Sequence, residues 1–135
     1  MRKTSFGITR SALELENLIL SNMDIPRTVF HRRMIDYYLK YDGTIHPNLL
    51  IKERSNPQYV HKDKMEQIYL DEERETGLME IVKKYDGKIG ISAVLFQALL
   101  TYCIVQAPII LGEDIFDKAM NNNKKQDAGK EDNAD

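Results

Sequence analysis

Lys3-Thr4-Ser5-Phe6-Gly7-Ile8-Thr9 is the stretch that decides the fold, and Met65-Glu66-Gln67-Ile68-Tyr69-Leu70 is its counterpart. Each is short and sets apolar side chains two apart, the period of a half-buried strand. Phe6 and Ile8 share one face of the first, and Ile68 and Leu70 one face of the second. The opposite faces carry Lys3, Ser5 and Gly7, and Met65, Gln67 and Tyr69. A lone strand of this length leaves its backbone groups unsatisfied. It needs a partner strand, and a two-stranded ribbon needs helices over its inner face.

Helical signals follow both stretches. Residues 10–22 read as a helix whose stripe is Leu15, Leu18, Ile19 and Asn22, with Ser11 as cap and Glu14 completing a capping box. Met23-Asp24-Ile25 breaks the stripe, and Pro26 suits the first turn of a second helix. That helix runs to about Tyr41, with Val29, Phe30, Met34, Tyr37 and Tyr38 inward, and stops at Asp42-Gly43. Residues 44–63 show no sustained period and read as a connection, with a short extended piece at 49–51. After the second strand, residues 71–85 read as a helix with Leu78, Ile81, Val82 and Tyr85 as its stripe. Glu72, Glu73 and Glu75 suit the positive end of its dipole. Ser92 is placed to cap a last, strongly apolar helix that reaches about Val105 and is halted by Pro108.

Strand–helix–helix is thus expected twice, at an offset of 62 set by Phe6 with Ile68 and Ile8 with Leu70. A second self-similarity, Lys40-Tyr41-Asp42-Gly43 against Lys84-Tyr85-Asp86-Gly87, reads as one helix-stop signal used twice. The resulting units are 1–43, a connection at 44–63, a more divergent repeat at 64–107, and 108–135. The last begins with a short helix carrying Ile115, Phe116, Ala119 and Met120 and ends in a polar, disordered tail.

At 135 residues and 15.7 kDa, with 42% hydrophobic and 30% charged residues, the chain suits one globular domain or two very small ones. The single cysteine, Cys103, supports no disulfide framework and implies a reducing, cytoplasmic setting. Seven glycines and four prolines leave little material for a glycine-rich phosphate loop. The apolar run near residues 93–111 is interrupted by Gln97, Gln106 and Pro108, so no membrane span is expected, and no apolar signal core follows the amino terminus. The net charge of −2 is unevenly spread. Residues 1–64 hold 11 Lys/Arg against 7 Asp/Glu, whereas 65–112 and 113–135 each hold 4 against 7.

The order of elements in residues 3–42 resembles the ribbon-helix-helix family of DNA-binding proteins, and residues 65–105 resemble it more loosely. The resemblance implies a mainly α fold with a short two-stranded antiparallel β-ribbon. A chain with two copies would build a tandem pseudo-dimer by itself. A homodimer pairing residues 1–42 between chains, with residues 65–110 as a separate helical module, is the other arrangement. In that family the ribbon enters the DNA major groove. Lys3, Ser5, Gly7, Met65, Gln67 and Tyr69 would then face the bases, Lys suiting guanine and Gln adenine. The two triplets differ, which implies a non-palindromic site.

The start of each second helix would clamp phosphate through its free N–H groups, placing Arg27, Thr28, Gly90 and Ser92 on the backbone. Arg32 and Arg33 would extend that contact, and Arg2 would reach the backbone from the ribbon's end. Double-stranded DNA is therefore the expected partner. The role is that of a transcriptional regulator or an accessory protein of a plasmid's relaxosome, with residues 113–135 open to a relaxase or other protein. The competing class is a protein-interaction module, an antitoxin or adaptor acting through that acidic tail.

His31, His46 and His61 sit 15 residues apart with no metal-ligand spacing among themselves or with Cys103, which reads as a buried thiol. Tyr37, Tyr38 and Tyr41 stand at helical spacing and read as core and rim. No catalytic constellation, metal or cofactor is expected, and the chain does not read as an enzyme.

Overall fold

The structure, a computed structural model, describes residues 1–112. Strand β1 (Arg2–Ile8) is followed by helices α1 (Arg10–Met23) and α2 (Arg27–Tyr41), and strand β2 (Lys64–Leu70) by α3 (Glu72–Lys84) and α4 (Ile91–Leu111). The fold is mainly helical with one two-stranded antiparallel sheet. β1 and β2 pair within the one chain, in the register Arg2↔Leu70 through Thr4↔Ile68 and Phe6↔Glu66 to Ile8↔Lys64. Phe6, Ile8, Ile68 and Leu70 are all buried beneath the ribbon, as their two-residue period predicts.

The caps depart from the sequence reading. Thr9, not Ser11, caps α1, its hydroxyl accepting from the Ala12 N–H at 3.2 Å. Ser11 lies already inside the first turn, so the Ser11–Glu14 capping box does not form. Asp71 caps α3 by accepting from the Arg74 N–H at 2.8 Å. Helix α1 ends at Asp24, which adopts the left-handed conformation at φ 55°. Gly43 and Gly87, at φ 70° and 72°, lie just beyond the ends of α2 and α3. The repeated Asp-Gly pair therefore marks two helix ends.

Two further expectations are corrected. Of residues 49–51 only Ile51 has extended backbone, because Pro47–Leu50 form a 3-10 turn whose Asn48 N–H donates to His46 Nδ1 at 3.1 Å. Nor does Pro108 halt the last helix, which runs on to Leu111. Proline removes one backbone donor. The carbonyl it would have served belongs to Ile104, a 59% exposed residue, so water can take the bond. Ala107 and Leu111 are buried on either side and hold the final turn in place.

Helix α4 is the hub: α1, α2, α3 and β1 all pack on it. Its hydropathy and 21-residue length would suit a membrane crossing, contrary to the interrupted run read from the sequence. Half of its apolar window is nonetheless buried by the chain's own elements. Cys103 is buried there, and burial pushes its thiol well above the ordinary value. The connection between α2 and β2 is tied down by hydrogen bonds. Tyr38 Oη donates to the Thr44 carbonyl at 2.9 Å, the Ile45 N–H to Tyr85 Oη at 2.8 Å, and the His46 N–H to Gln97 Oε1 at 2.8 Å.

Candidate nucleic-acid interface

Because side chains alternate along a strand, the register pairs Lys3 with Tyr69, Ser5 with Gln67 and Gly7 with Met65 on the face away from the helices. Lys3, Ser5, Met65, Gln67 and Tyr69 are exposed. Met65 is 67% and Tyr69 47% exposed, high values for large apolar side chains. The Lys3 ammonium stands 5.9 Å from the Tyr69 ring centroid, so the two share one end of the face.

Gly7 does not belong to that set. It is buried, its N–H donates to Ser92 Oγ at 3.1 Å, and a Cβ built on it would lie 3.2 Å from Lys62 Cβ. The stem of Lys62, two residues before β2, packs over this end of the ribbon and crowds any side chain at position 7. Partial burial of the Lys62 ammonium lowers its pKa.

The second helix of each unit begins at the ribbon. At one end Thr28, His31 and Arg32 of α2 line a cleft of about 320 Å³ with Met1, Tyr69 and Asp71. At the other, Ser92 in the first turn of α4 holds Gly7. These two helices start at Pro26 and Gly90 with no side-chain cap, whereas α1 and α3 are capped by Thr9 and Asp71. The first N–H groups of α2 and α4 are thus left to other acceptors.

The expected phosphate contacts divide. Thr28, Arg32, Arg33 and Gly90 are exposed, and among the described residues Arg32 and Arg33 make no ion pair. Ser92 is only part-exposed, and its hydroxyl is spent on accepting from the Gly7 N–H. Arg2 pairs with Glu75 at 2.8 Å on the surface. Arg27 is turned inward: its Nη1 donates to Glu16 Oε1 at 2.6 Å and Glu66 Oε1 at 3.0 Å, and its Nη2 to Asn17.

That inward turn exposes a feature the sequence reading missed. Glu16, His31 and Glu66 are 0%, 3% and 6% exposed, packed between α1, α2 and the underside of β2. His31 Nε2 lies 2.7 Å from Glu66 Oε2 and 3.5 Å from Glu16 Oε2. Burial raises the Glu16 carboxyl to about 7 despite the His31 imidazole beside it. Burial likewise opposes charge on His31 and on Glu66. The two carboxylates outweigh it for His31, whose pKa ends raised, and the hydrogen bond to His31 with the neighbouring Glu16 and Arg27 outweighs it for Glu66, whose pKa ends lowered. A signal was present: Glu66 has the same strand parity as Ile68 and Leu70, and Glu16 lies on the helix face of Ala12 and Ile19.

No family model, curated protein or solved structure matches the chain. Its chemistry is that of the exposed face: an ammonium, a hydroxyl and a carboxamide that hydrogen-bond, a thioether and a phenol that offer apolar contact, and two uncapped helix starts flanking them. Ile115, Phe116, Ala119, Met120 and the acidic tail lie outside the described residues.

Proposed function

We propose that the chain binds double-stranded DNA as a single-chain, ribbon-helix-helix-like protein, with the outer face of β1 and β2 in the major groove. The observation that carries this reading is the outer face, with Lys3, Ser5, Met65, Gln67 and Tyr69 exposed on paired strands. The major groove, about 12 Å wide, admits a two-stranded ribbon. Lys3, Ser5 and Gln67 hydrogen-bond base edges, while Met65 and Tyr69 suit thymine methyl groups. Thr28, Arg32, Arg33 and the uncapped starts of α2 and α4 meet phosphates on either side. The strands present unlike side chains, so the target is not palindromic. The resemblance in element order supports a cytoplasmic transcriptional regulator or a mobile-element accessory protein.

The test is fluorescence anisotropy with duplexes from the gene's own neighbourhood. Replacing Lys3, Ser5 and Gln67 together by Ala removes sequence preference and leaves residual non-specific binding, each lost contact being worth about 1–3 kcal/mol. A triple variant that still prefers the same duplex rejects the ribbon as reader.

A further inference from the structure

We propose that Glu16, His31 and Glu66 form a site for one divalent transition-metal cation, with zinc best suited to the donors. This proposal is independent of the DNA reading.

Arg27 sets the geometry. It takes Oε1 of both carboxylates, at 2.6 and 3.0 Å, and so turns Oε2 of each toward His31 Nε2. The ligand atoms of the three residues all lie within 4.8 Å of one another. Zinc bonds to nitrogen and oxygen of about 2.0–2.2 Å separate neighbouring tetrahedral donors by about 3.3–3.6 Å. The 3.5 Å between His31 Nε2 and Glu16 Oε2 already meets that spacing. The 2.7 Å between His31 and Glu66 must open by less than about 1 Å.

A second observation points to a ligand. Glu16 is fully buried, yet its Oε2 has no hydrogen-bond partner, and it is the one such side-chain atom among the described residues. Arg27 and His31 account for the other three carboxylate oxygens' worth of bonding, leaving this oxygen aimed at the imidazole with nothing to accept. Leaving a buried acceptor unsatisfied is costly. A cation between the three donors removes that cost.

The surroundings suit a metal. His31 lines the cleft that opens beside Thr28, Tyr69 and Asp71, giving an ion a way in and a water a place as fourth ligand. Arg27 and Asn17 form the outer shell that orients the carboxylates. Two carboxylate oxygens and one imidazole nitrogen favour zinc, cobalt or manganese over magnesium or calcium, which prefer oxygen alone. Binding displaces the Nε2 proton to solvent, since only the neutral ring ligates.

The experiment titrates zinc chloride into the chelator-treated full chain at about pH 7.5. Calorimetry should give one zinc per chain with a Kd below about 10 μM. His31→Gln and Glu16→Gln should each weaken binding by about tenfold or more, whereas a His46→Gln, His61→Gln double variant should leave it unchanged. X-ray absorption of the zinc-loaded native chain should show one imidazole, oxygen donors and no sulfur, which decides the matter if a variant fails to fold. Absence of binding, a Kd unmoved by either core substitution, loss with His46 and His61, or two or more imidazoles on the zinc would overturn the proposal.

Discussion

Arg27 opens α2, where a solvent-facing cation would meet phosphate, yet its guanidinium reaches inward to Glu16 and Glu66. Two buried carboxylates beside one another need compensating charge, and Arg27 and His31 supply it. The pH dependence of the metal-free chain follows from the shifts. His31 is held above its ordinary value, so its contribution is complete below about 6.5 and is lost as pH rises through the folded value. Glu16, raised from 4.5 to about 7, is also best accommodated as the acid, and that advantage, complete below 4.5, is lost as pH rises through about 7. Glu66 runs the other way: its lowered pKa gives stability above 4.5 that is lost as pH falls through the folded value. With chelator present, the Tm should therefore fall by a few degrees between about pH 6 and about pH 8. A Glu16→Gln variant should show a shallower fall, and scanning calorimetry across that range checks both. A Tm that rises with pH there would reverse the assignment.

At the level of elements, capping gives the sharpest comparison. Thr9→Ala should cost about 1 kcal/mol, because it removes the acceptor of the Ala12 N–H. Ser11→Ala should change stability by less than about 0.5 kcal/mol, since its hydroxyl meets only Thr9 at 3.3 Å in an exposed setting. Urea melts of the two variants decide between the caps. The sequence pattern pointed to Ser11-x-x-Glu14, and pattern alone does not say where the strand must end to let the chain turn. What periodicity does carry is the inner face of both strands, whereas in α1 it put exposed Asn22 on the core stripe and left out buried Ala12 and Glu16. It predicts both strands, all four helices, and Phe6, Ile8, Ile68 and Leu70 as the inner set. It also gives the opposite parity that exposes Lys3, Ser5, Gln67 and Tyr69. What it does not carry is any contact between elements distant in sequence. The Ser92 hydroxyl on Gly7, the Lys62 stem over the ribbon's end, and the Arg27–Glu16–Glu66 network join residues 85, 55 and 39 or 11 positions apart. Each overrode a local reading, turning a cap, a reading position and a phosphate contact into structural parts. Pro108 failed as a stop for the same reason, because buried Ala107 and Leu111 hold the turn that the proline weakens.

Across the whole molecule, pairing β1 with β2 brings the basic first half of the chain and the acidic second half into one body. In the proposed complex Arg32 and Arg33 are exposed cations on the helix that starts beside Tyr69. DNA affinity should depend on salt through displaced counterions, each adding about 0.9 to the log–log slope. Replacing Arg32 and Arg33 together by Gln should reduce the slope by about 2, weaken all duplexes alike, and leave sequence preference and Tm unchanged. Arg27→Ala should do the opposite. It removes the partner of two buried carboxylates, so the Tm should drop by an amount equivalent to about 3 kcal/mol. That is the lower end for breaking a buried pair, because the guanidinium itself is 38% exposed. The salt slope, measured where the variant remains folded, should stay at the native value. Anisotropy titrations over a range of potassium chloride, beside thermal melts of the same samples, separate the two classes of arginine. If Arg27→Ala lowers the slope without lowering the Tm, its guanidinium faces DNA rather than the acidic cluster.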